Sequence, residues 1–332
     1  MLNLISNECI MNIKEKKFSE KSVLLIGTGW MANQYVIALK KLKIKKIYVI
    51  SRNQNKTKRF CKKNNLTYLE NNLEFILKKL EIDLTIIAIT ITSISHIAKI
   101  VQKNSTCNIL IEKPGALYSK ELISLKHKKI PQKIRVGYNR IAYPNFEKLK
   151  QILKNEEITS CSFCITERTD QIDKKLFSKE VLDRWGICNT LHVISMVVKL
   201  IDFPKKIHVQ QAGKLDWHLS GSIFTGFGIS KKNIPFSYHG DWNSSGGWGI
   251  KICTNKAQYR LMPLEKLYVL KKNTSTWKEI SYQNPFKNVK MGIIEELIMS
   301  LQKEDNDDLI DLDNAVNLIK LGEKIFGYTN RE

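Results

Sequence analysis

The chain has 332 residues, 43% hydrophobic and 26% charged, the make-up of a soluble globular protein at a length where two domains are expected. No apolar run reaches the roughly 18 residues that a membrane span needs, and residues 1–21 lack the apolar core and small-residue cleavage site of a signal peptide. A cytoplasmic chain with a short N-terminal tail (residues 1–20) and no membrane partner is therefore expected. The net charge of +22 comes from 46 Lys and only 8 Arg spread over the whole length. Sequence-specific DNA readers lean on the bidentate Arg fork, so no nucleic-acid surface is expected.

Residues 22–26 (SVLLI) form a short apolar run ending at a glycine turn, which reads as a buried strand. Ala32, Tyr35, Val36, Leu39 and Leu42 follow at helical spacing. Residues 47–50 are the next strand candidate and 56–63 a polar helix. Leu73, Ile76, Leu77 and Leu80 give another helical stripe, followed by a strand at 84–89, a helix near 96–102 and a strand at 109–112. Residues 119–128 read as a helix capped by Ser119, and 134–138 as a strand. Strand and helix alternating in this way argue for a parallel sheet wrapped on both faces.

Gly27, Thr28, Gly29, Trp30, Met31 and Ala32 fit G-x-G-x-x-G/A directly between the first strand and the first helix. Gly27 permits the tight turn, Gly29 lets backbone approach a pyrophosphate, and Ala32 lets helix and strand pack closely. The helix N-terminus then offers free N–H groups to phosphate. This placement points to a dinucleotide-binding Rossmann domain over residues 21–140. The second strand runs into Ser51, Arg52 and Asn53, where an NAD-selective site presents Asp or Glu to the ribose. No carboxylate occurs between Lys21 and Leu69. Ser51, Arg52 and Lys56 could instead hold a 2′-phosphate, so NADP(H) is favoured over NAD(H).

The second half, residues 141–332, carries strand-like runs at 158–166, 207–211, 222–227, 235–239, 248–254, 258–262 and 266–270, then helices near 289–302 and 312–326. Strands grouped before helices suggest an α+β domain with a predominantly antiparallel sheet. The seven cysteines are irregularly spaced and do not read as a disulfide framework. Cys161 and Cys164, three apart on a strand, would face opposite ways, and no metal site is expected.

Glu112-Lys113-Pro114 after a late strand, Val136 to Arg140 followed by Tyr143-Pro144, and the helix from Gly186 to His192 together resemble the glucose–fructose oxidoreductase/inositol dehydrogenase (Gfo/Idh/MocA) family. The resemblance runs from about residue 22 to 328. It implies a sugar oxidoreductase in which Lys113 gives, takes or positions a proton near the nicotinamide, after a chain turn with a cis bond before Pro114. Glu112 would orient the lysine or the nicotinamide ribose. His192 would be the second acid/base group, with Asn139, Arg140, Tyr143 and Asn189 toward the substrate.

Many relatives carry D-x-G-x-H at this helix. Here Cys188 holds the Asp position and Thr190 the Gly position, leaving Asn189 or Thr190 to compensate by hydrogen bonding. Segments around Tyr238, Trp242, Trp248 and Arg260 resemble a bacterial branch acting on surface-polysaccharide and sialic-acid-like sugars. Arg140, Tyr143, Arg168 and Arg184 could meet an anionic sugar or a nucleotide diphosphate. The resemblance also implies a homo-oligomer formed through the open face of the sheet. The rival reading is a cofactor-binding regulatory or assembly protein without turnover, for which the missing Asp argues and Lys113 argues against.

Overall fold

The computed structural model describes residues 18–70, 72–126, 133–284, 286, 288–302 and 308–328. The expected tail, up to residue 17, and the end of the helix expected at 119–128 lie outside them. The chain divides into one unit of Met1–Ala142 with Asn284–Val316, and another of Tyr143–Gln283 with Asn317–Glu332.

The first unit alternates strand and helix. β1 (Ser22–Ile26), α1 (Trp30–Lys41), β2 (Lys46–Ile50), α2 (Gln54–Asn64) and β3 (Thr67–Tyr68) make one half. The other half holds α3 (Leu73–Lys79), β4 (Leu84–Ile87), α4 (Ile91–Asn104), β5 (Asn108–Glu112), α5 (Ser119–Ile123) and β6 (Ile134–Gly137). Six strands pair in parallel in the order β6-β5-β4-β1-β2-β3. A short β15 (Ile310–Asp311) adds antiparallel to β6. β1 and β4 are neighbours at the sheet centre, where the strand order reverses and ligands of such sheets bind beyond the strand ends.

The stripe read from sequence explains why α1 sits where it does. Ala32, Tyr35, Val36 and Leu39 are fully buried and belong to one core with Ile293, Ile294 and Leu297 of α9 (Ile293–Leu301). Each such aliphatic side chain contributes about 1.5–3 kcal/mol by leaving water. The C-terminal part of the chain thus returns to complete the first unit's core, which a boundary placed at residue 140 did not foresee.

In the second unit, α6 (Pro144–Leu153) precedes β7 (Ile158–Ile165). Then come α7 (Lys179–Asp183), a π-helical turn (Gly186–Thr190) and α8 (Leu191–Ile201). β8 (Pro204–Ala212), β9 (Ile223–Ser230), β10 (Pro235–Asp241), β11 (Trp248–Thr254), β12 (Ala257–Leu261), β13 (Leu267–Lys271) and β14 (Lys278–Glu279) follow, with the part of α10 (Leu312–Phe326) from Asn317 onward near the end. The eight strands order as β14-β13-β12-β11-β7-β10-β9-β8, and every pair is antiparallel except β7 with β10. The fold class read from the sequence is borne out.

Several boundaries moved for local reasons. The helix expected from residue 289 starts at Ile293, because Gly292 takes a left-handed φ of +82° as its N-cap. At α5 the cap is Tyr118 rather than Ser119, and the Glu121 carboxylate reaches back to accept its N–H at 3.0 Å. α6 escaped the sequence reading, although Pro144 at its first turn is a favoured start.

Candidate functional site

Each unit holds a set of polar groups around helix starts and strand ends. In the first unit, β1 ends at Gly27, whose φ is +124°. A Cβ there would stand 2.1 Å from the Ala88 carbonyl oxygen, so no other residue fits without moving β4's end. Gly29 is different. A Cβ added to it meets nothing within 4 Å, which leaves open space over the loop. Gly29 is also the N-cap of α1, with no side-chain cap and no acidic residue in the first turn. The first N–H groups of α1 are therefore not claimed by a side chain at the cap, and the helix dipole adds positive potential. An open backbone cradle at a switch point fits a dinucleotide pyrophosphate. Thr28, Trp30 and Met31 border it, and Trp30 is 65% exposed.

Ser51 and Arg52 follow β2 immediately, one strand over from the loop, and the Gly27 N–H donates to the Ile50 carbonyl at 2.9 Å. Thr57 donates its hydroxyl hydrogen to the Asn53 carbonyl at 2.8 Å, so the 2.5 Å contact between the Ser51 and Thr57 hydroxyls is donated by Ser51. Asn53 caps α2, accepting from the Lys56 N–H at 2.9 Å. Arg52 and Lys56 are exposed, and α2 has no acidic residue in its first turn.

Glu112 closes β5 and Lys113 follows it; the Lys113–Pro114 bond is cis, as the resemblance implied. Glu112 is buried, and burial raises its carboxyl above the usual carboxylate range. The Tyr35 hydroxyl, the Lys113 and Lys290 charges and the Lys113 N–H act in the opposite sense. Lys290 comes from the segment before α9. Its ammonium lies 4.4 Å from the Trp30 ring centre and 3.7 Å from the Met31 sulfur. Burial lowers its pKa, and Glu112 pulls it back up. Asn139, expected toward the substrate, is instead buried, and its amide donates to the Met291 carbonyl at 2.8 Å. Arg140 belongs to the same short turn.

In the second unit, His192 sits on α8, buried, with its ring 6.1 Å from that of Trp248. The turn before it is π-helical, a distortion that recurs at functional sites. Asn189 donates to Glu167 at 2.9 Å, and Thr190 donates to its other oxygen. Glu167 follows β7 by two residues and is buried. A carboxylate therefore is held against this turn although Cys188 replaces the familiar Asp. The Cys188 thiol points to the Val181 carbonyl at 3.6 Å.

Arg184 is not a surface contact for an anionic sugar: it is buried and paired with Glu323 at 2.5 Å. Tyr143 is likewise buried, while Arg168 is exposed. Among the described residues no cluster of His, Cys, Asp or Glu could hold a metal ion, and no helix is long and apolar enough to cross a membrane.

Sequence reasoning missed four groups. Tyr35 was counted in an apolar stripe, and its hydroxyl gave no periodic signal. Glu296 lies between Ile294 and Leu297 on an inward face, a signal that could have been used. Glu167 stands directly past a strand end, where site residues collect. Lys290 had no signal, being one lysine among many.

A family model described as shikimate/quinate 5-dehydrogenase matches residues 10–118. Comparison with curated proteins by sequence finds no match. Solved structures align over nearly the whole chain. An oxidoreductase from Agrobacterium radiobacter, in complex with NAD+, L-tartaric acid and magnesium, is 14% identical with TM-score 0.76, covering 93% of this chain and 96% of that one. A dehydrogenase from Clostridium difficile is 19% identical with TM-score 0.75, covering 93% and 99%. A UDP-N-acetylglucosamine 3-dehydrogenase from Acidithiobacillus ferrooxidans is 10% identical with TM-score 0.72, covering 93% and 97%. The chain has the fold of the glucose–fructose oxidoreductase/inositol dehydrogenase family.

Proposed function

We propose that the chain is a nicotinamide-dependent oxidoreductase acting on a CH–OH carbon of a sugar or sugar derivative. The observation that carries this reading is the cradle at Gly29, open and uncapped, on the same sheet edge as Glu112-Lys113-Pro114. Gly27, Thr28, Gly29, Trp30, Met31 and Ala32 would hold the pyrophosphate, and Arg52 with Lys56 a 2′-phosphate. NADP(H) is accordingly preferred over NAD(H). When bound, the nicotinamide ring supplies the hydride acceptor or donor.

Lys113 would pass the hydroxyl proton, its ammonium form favoured by the Glu112 carboxylate beside it. His192 would be the second acid/base group, with Asn189 and Thr190 holding Glu167 against the preceding turn. The likeness to a UDP-N-acetylglucosamine 3-dehydrogenase supports a nucleotide sugar as substrate, and a place in surface-polysaccharide synthesis rests on the sequence resemblance alone. Arg140 and Arg168 remain candidate substrate contacts. Phe227 and Ile229 are 61% and 40% exposed on one face of β9, which supports a homo-oligomer joined through the second unit's sheet.

Screening sugars and nucleotide sugars for reduction of NADP+, and their keto forms for oxidation of NADPH, tests the activity, and the ratio of kcat/KM for the phosphorylated and unphosphorylated cofactor tests the preference. Lys113→Ala is expected to bind cofactor with unchanged affinity and lose turnover by about a hundredfold or more. Cofactor binding without turnover on any sugar would favour a regulatory or assembly role, and a clear advantage for NADH would remove the 2′-phosphate assignment.

A further inference from the structure

Tyr35, Glu112 and Glu296 meet inside the first unit, away from solvent. The Tyr35 oxygen lies 2.7 Å from Glu112 Oε1 and 3.1 Å from Glu296 Oε2. Tyr35 and Glu296 are 0% exposed and Glu112 is 7% exposed. Room for the group comes from Gly137, which pairs with Glu112 across the sheet. A Cβ at Gly137 would stand 3.0 Å from the Tyr35 hydroxyl and 3.3 Å from Glu296 Oε1.

A phenol carries one hydrogen, yet it faces a carboxyl on each side. Both contacts are hydrogen bonds only if one carboxyl brings a proton of its own. The surroundings decide which. Glu112 faces the cations Lys113 and Lys290, and Arg140 acts on Lys290 from the turn beyond. Glu296 has Glu112 and Glu295 as acidic neighbours, with Lys290 the cation acting on it. Its second oxygen is buried without a hydrogen-bond partner, which a neutral carbonyl tolerates far better than a carboxylate does. Burial and the Glu112 charge raise the Glu296 carboxyl well above the usual range, further than that of Glu112.

We propose that Glu296 and Tyr35 are positioning residues: Glu296 is held neutral and donates to Tyr35, Tyr35 donates to Glu112, and Glu112 is thereby kept as the single buried carboxylate that sets the charge of Lys113. The chain moves no atoms and needs no co-reactant. It fixes one negative charge at the end of β5. The assignment deepens the dehydrogenase reading and its catalytic consequence rests on that reading, whereas the location of the proton does not.

Infrared spectroscopy locates the proton without turnover. At neutral pH the wild-type protein is expected to show the carbonyl stretch of a buried protonated carboxylic acid, and Glu296→Gln to lack it. No such band, or a band that persists in Glu296→Gln, would overturn the proposal.

The second readout is the pH profile of kcat. Tyr35→Phe removes the donor to Glu112, favours its neutral form, and is expected to move the limb belonging to Lys113 to lower pH by about one unit. Glu296→Gln keeps an N–H donor toward Tyr35 and is expected to retain the wild-type profile. A Tyr35→Phe profile reduced in height but unmoved would mean a structural role only and overturn the coupling to Lys113. A band present in a protein that turns over no sugar would support the shared proton while counting against the dehydrogenase reading.

Discussion

Gly29 and Gly186 each stand at or beside the first turn of a helix, and each is there for want of a side chain, but for opposite reasons. At Gly29 a Cβ would meet nothing within 4 Å, whereas at Gly186 it would lie 2.4 Å from the Phe326 ring. The first gap is open space. The second is filled by the protein, and the Gly186 N–H is already donated to the Tyr328 hydroxyl at 3.0 Å. The turn at residue 29 is thus open, as the proposed cofactor site requires, and the turn at residue 186 is held by its own packing. Around Gly186 the holding groups are buried: the Arg184–Glu323 pair, and His218, whose Nε2 lies 2.6 Å from the Tyr328 hydroxyl. A glycine in a motif identifies a place where backbone comes close to something, and the packing alone says to what.

Substitutions at the glycines and at the groups that hold them test this contrast. The largest effect belongs to Gly27→Ala, which combines a left-handed backbone with a carbonyl contact at 2.1 Å. A loss of roughly 4 kcal/mol is expected in urea denaturation.

Next comes pH. Burial lowers the His218 pKa from 6.5 to about 4. The Gly221 carbonyl lies 2.9 Å from Nδ1, which assigns that nitrogen as donor and Nε2 as acceptor from Tyr328. The unfolded chain takes up a proton that the folded one refuses. Stability is therefore complete above pH 6.5 and falls as pH drops toward 4, by roughly 3 kcal/mol from this group. His218→Gln should flatten that part of the stability–pH curve; an unchanged slope would assign it to other groups.

Gly186→Ala should cost about 1–3 kcal/mol by overpacking against Phe326. Phe326→Leu in the same background should recover part of it, giving a non-additive cycle. Gly29→Ala should be the mildest for stability, within about 0.5 kcal/mol, yet weaken cofactor binding about tenfold or more. If it proved as destabilising as Gly186→Ala, the distinction between the two turns would fail.

The first unit was the more legible in sequence, because its signals are local. A hydrophobic run, a glycine turn and a helical stripe lie within a few residues of one another, and the sheet order follows from their alternation. Motif residues at Gly27, Gly29 and Lys113 could be placed for the same reason. What was not legible depends on contacts distant along the chain. Tyr35 lies 261 residues from Glu296, and its apolar ring satisfied the helical period while its hydroxyl went unnoticed. Arg184 was read as a candidate contact for an anionic sugar, and its partner Glu323, 139 residues away, gave no local sign of the pairing. Asn139 was expected to face a substrate, and only the packing shows its amide bound to Met291. Likewise Glu167 reaches Asn189 and Thr190 through folding, so the Cys188 substitution read in isolation suggested a missing carboxylate.

The claim on which the account rests is that a nicotinamide dinucleotide lies against the Gly29 turn. Trp30, 65% exposed on that turn, allows a direct measurement: excite tryptophan, titrate NADPH, and record energy transfer to the reduced nicotinamide. Saturable transfer is expected in the wild type and undiminished in Lys113→Ala, with a markedly weaker midpoint in Gly29→Ala and a weaker one for NADH. Absence of saturable transfer with either cofactor, or a Gly29→Ala midpoint equal to that of the wild type, would contradict it.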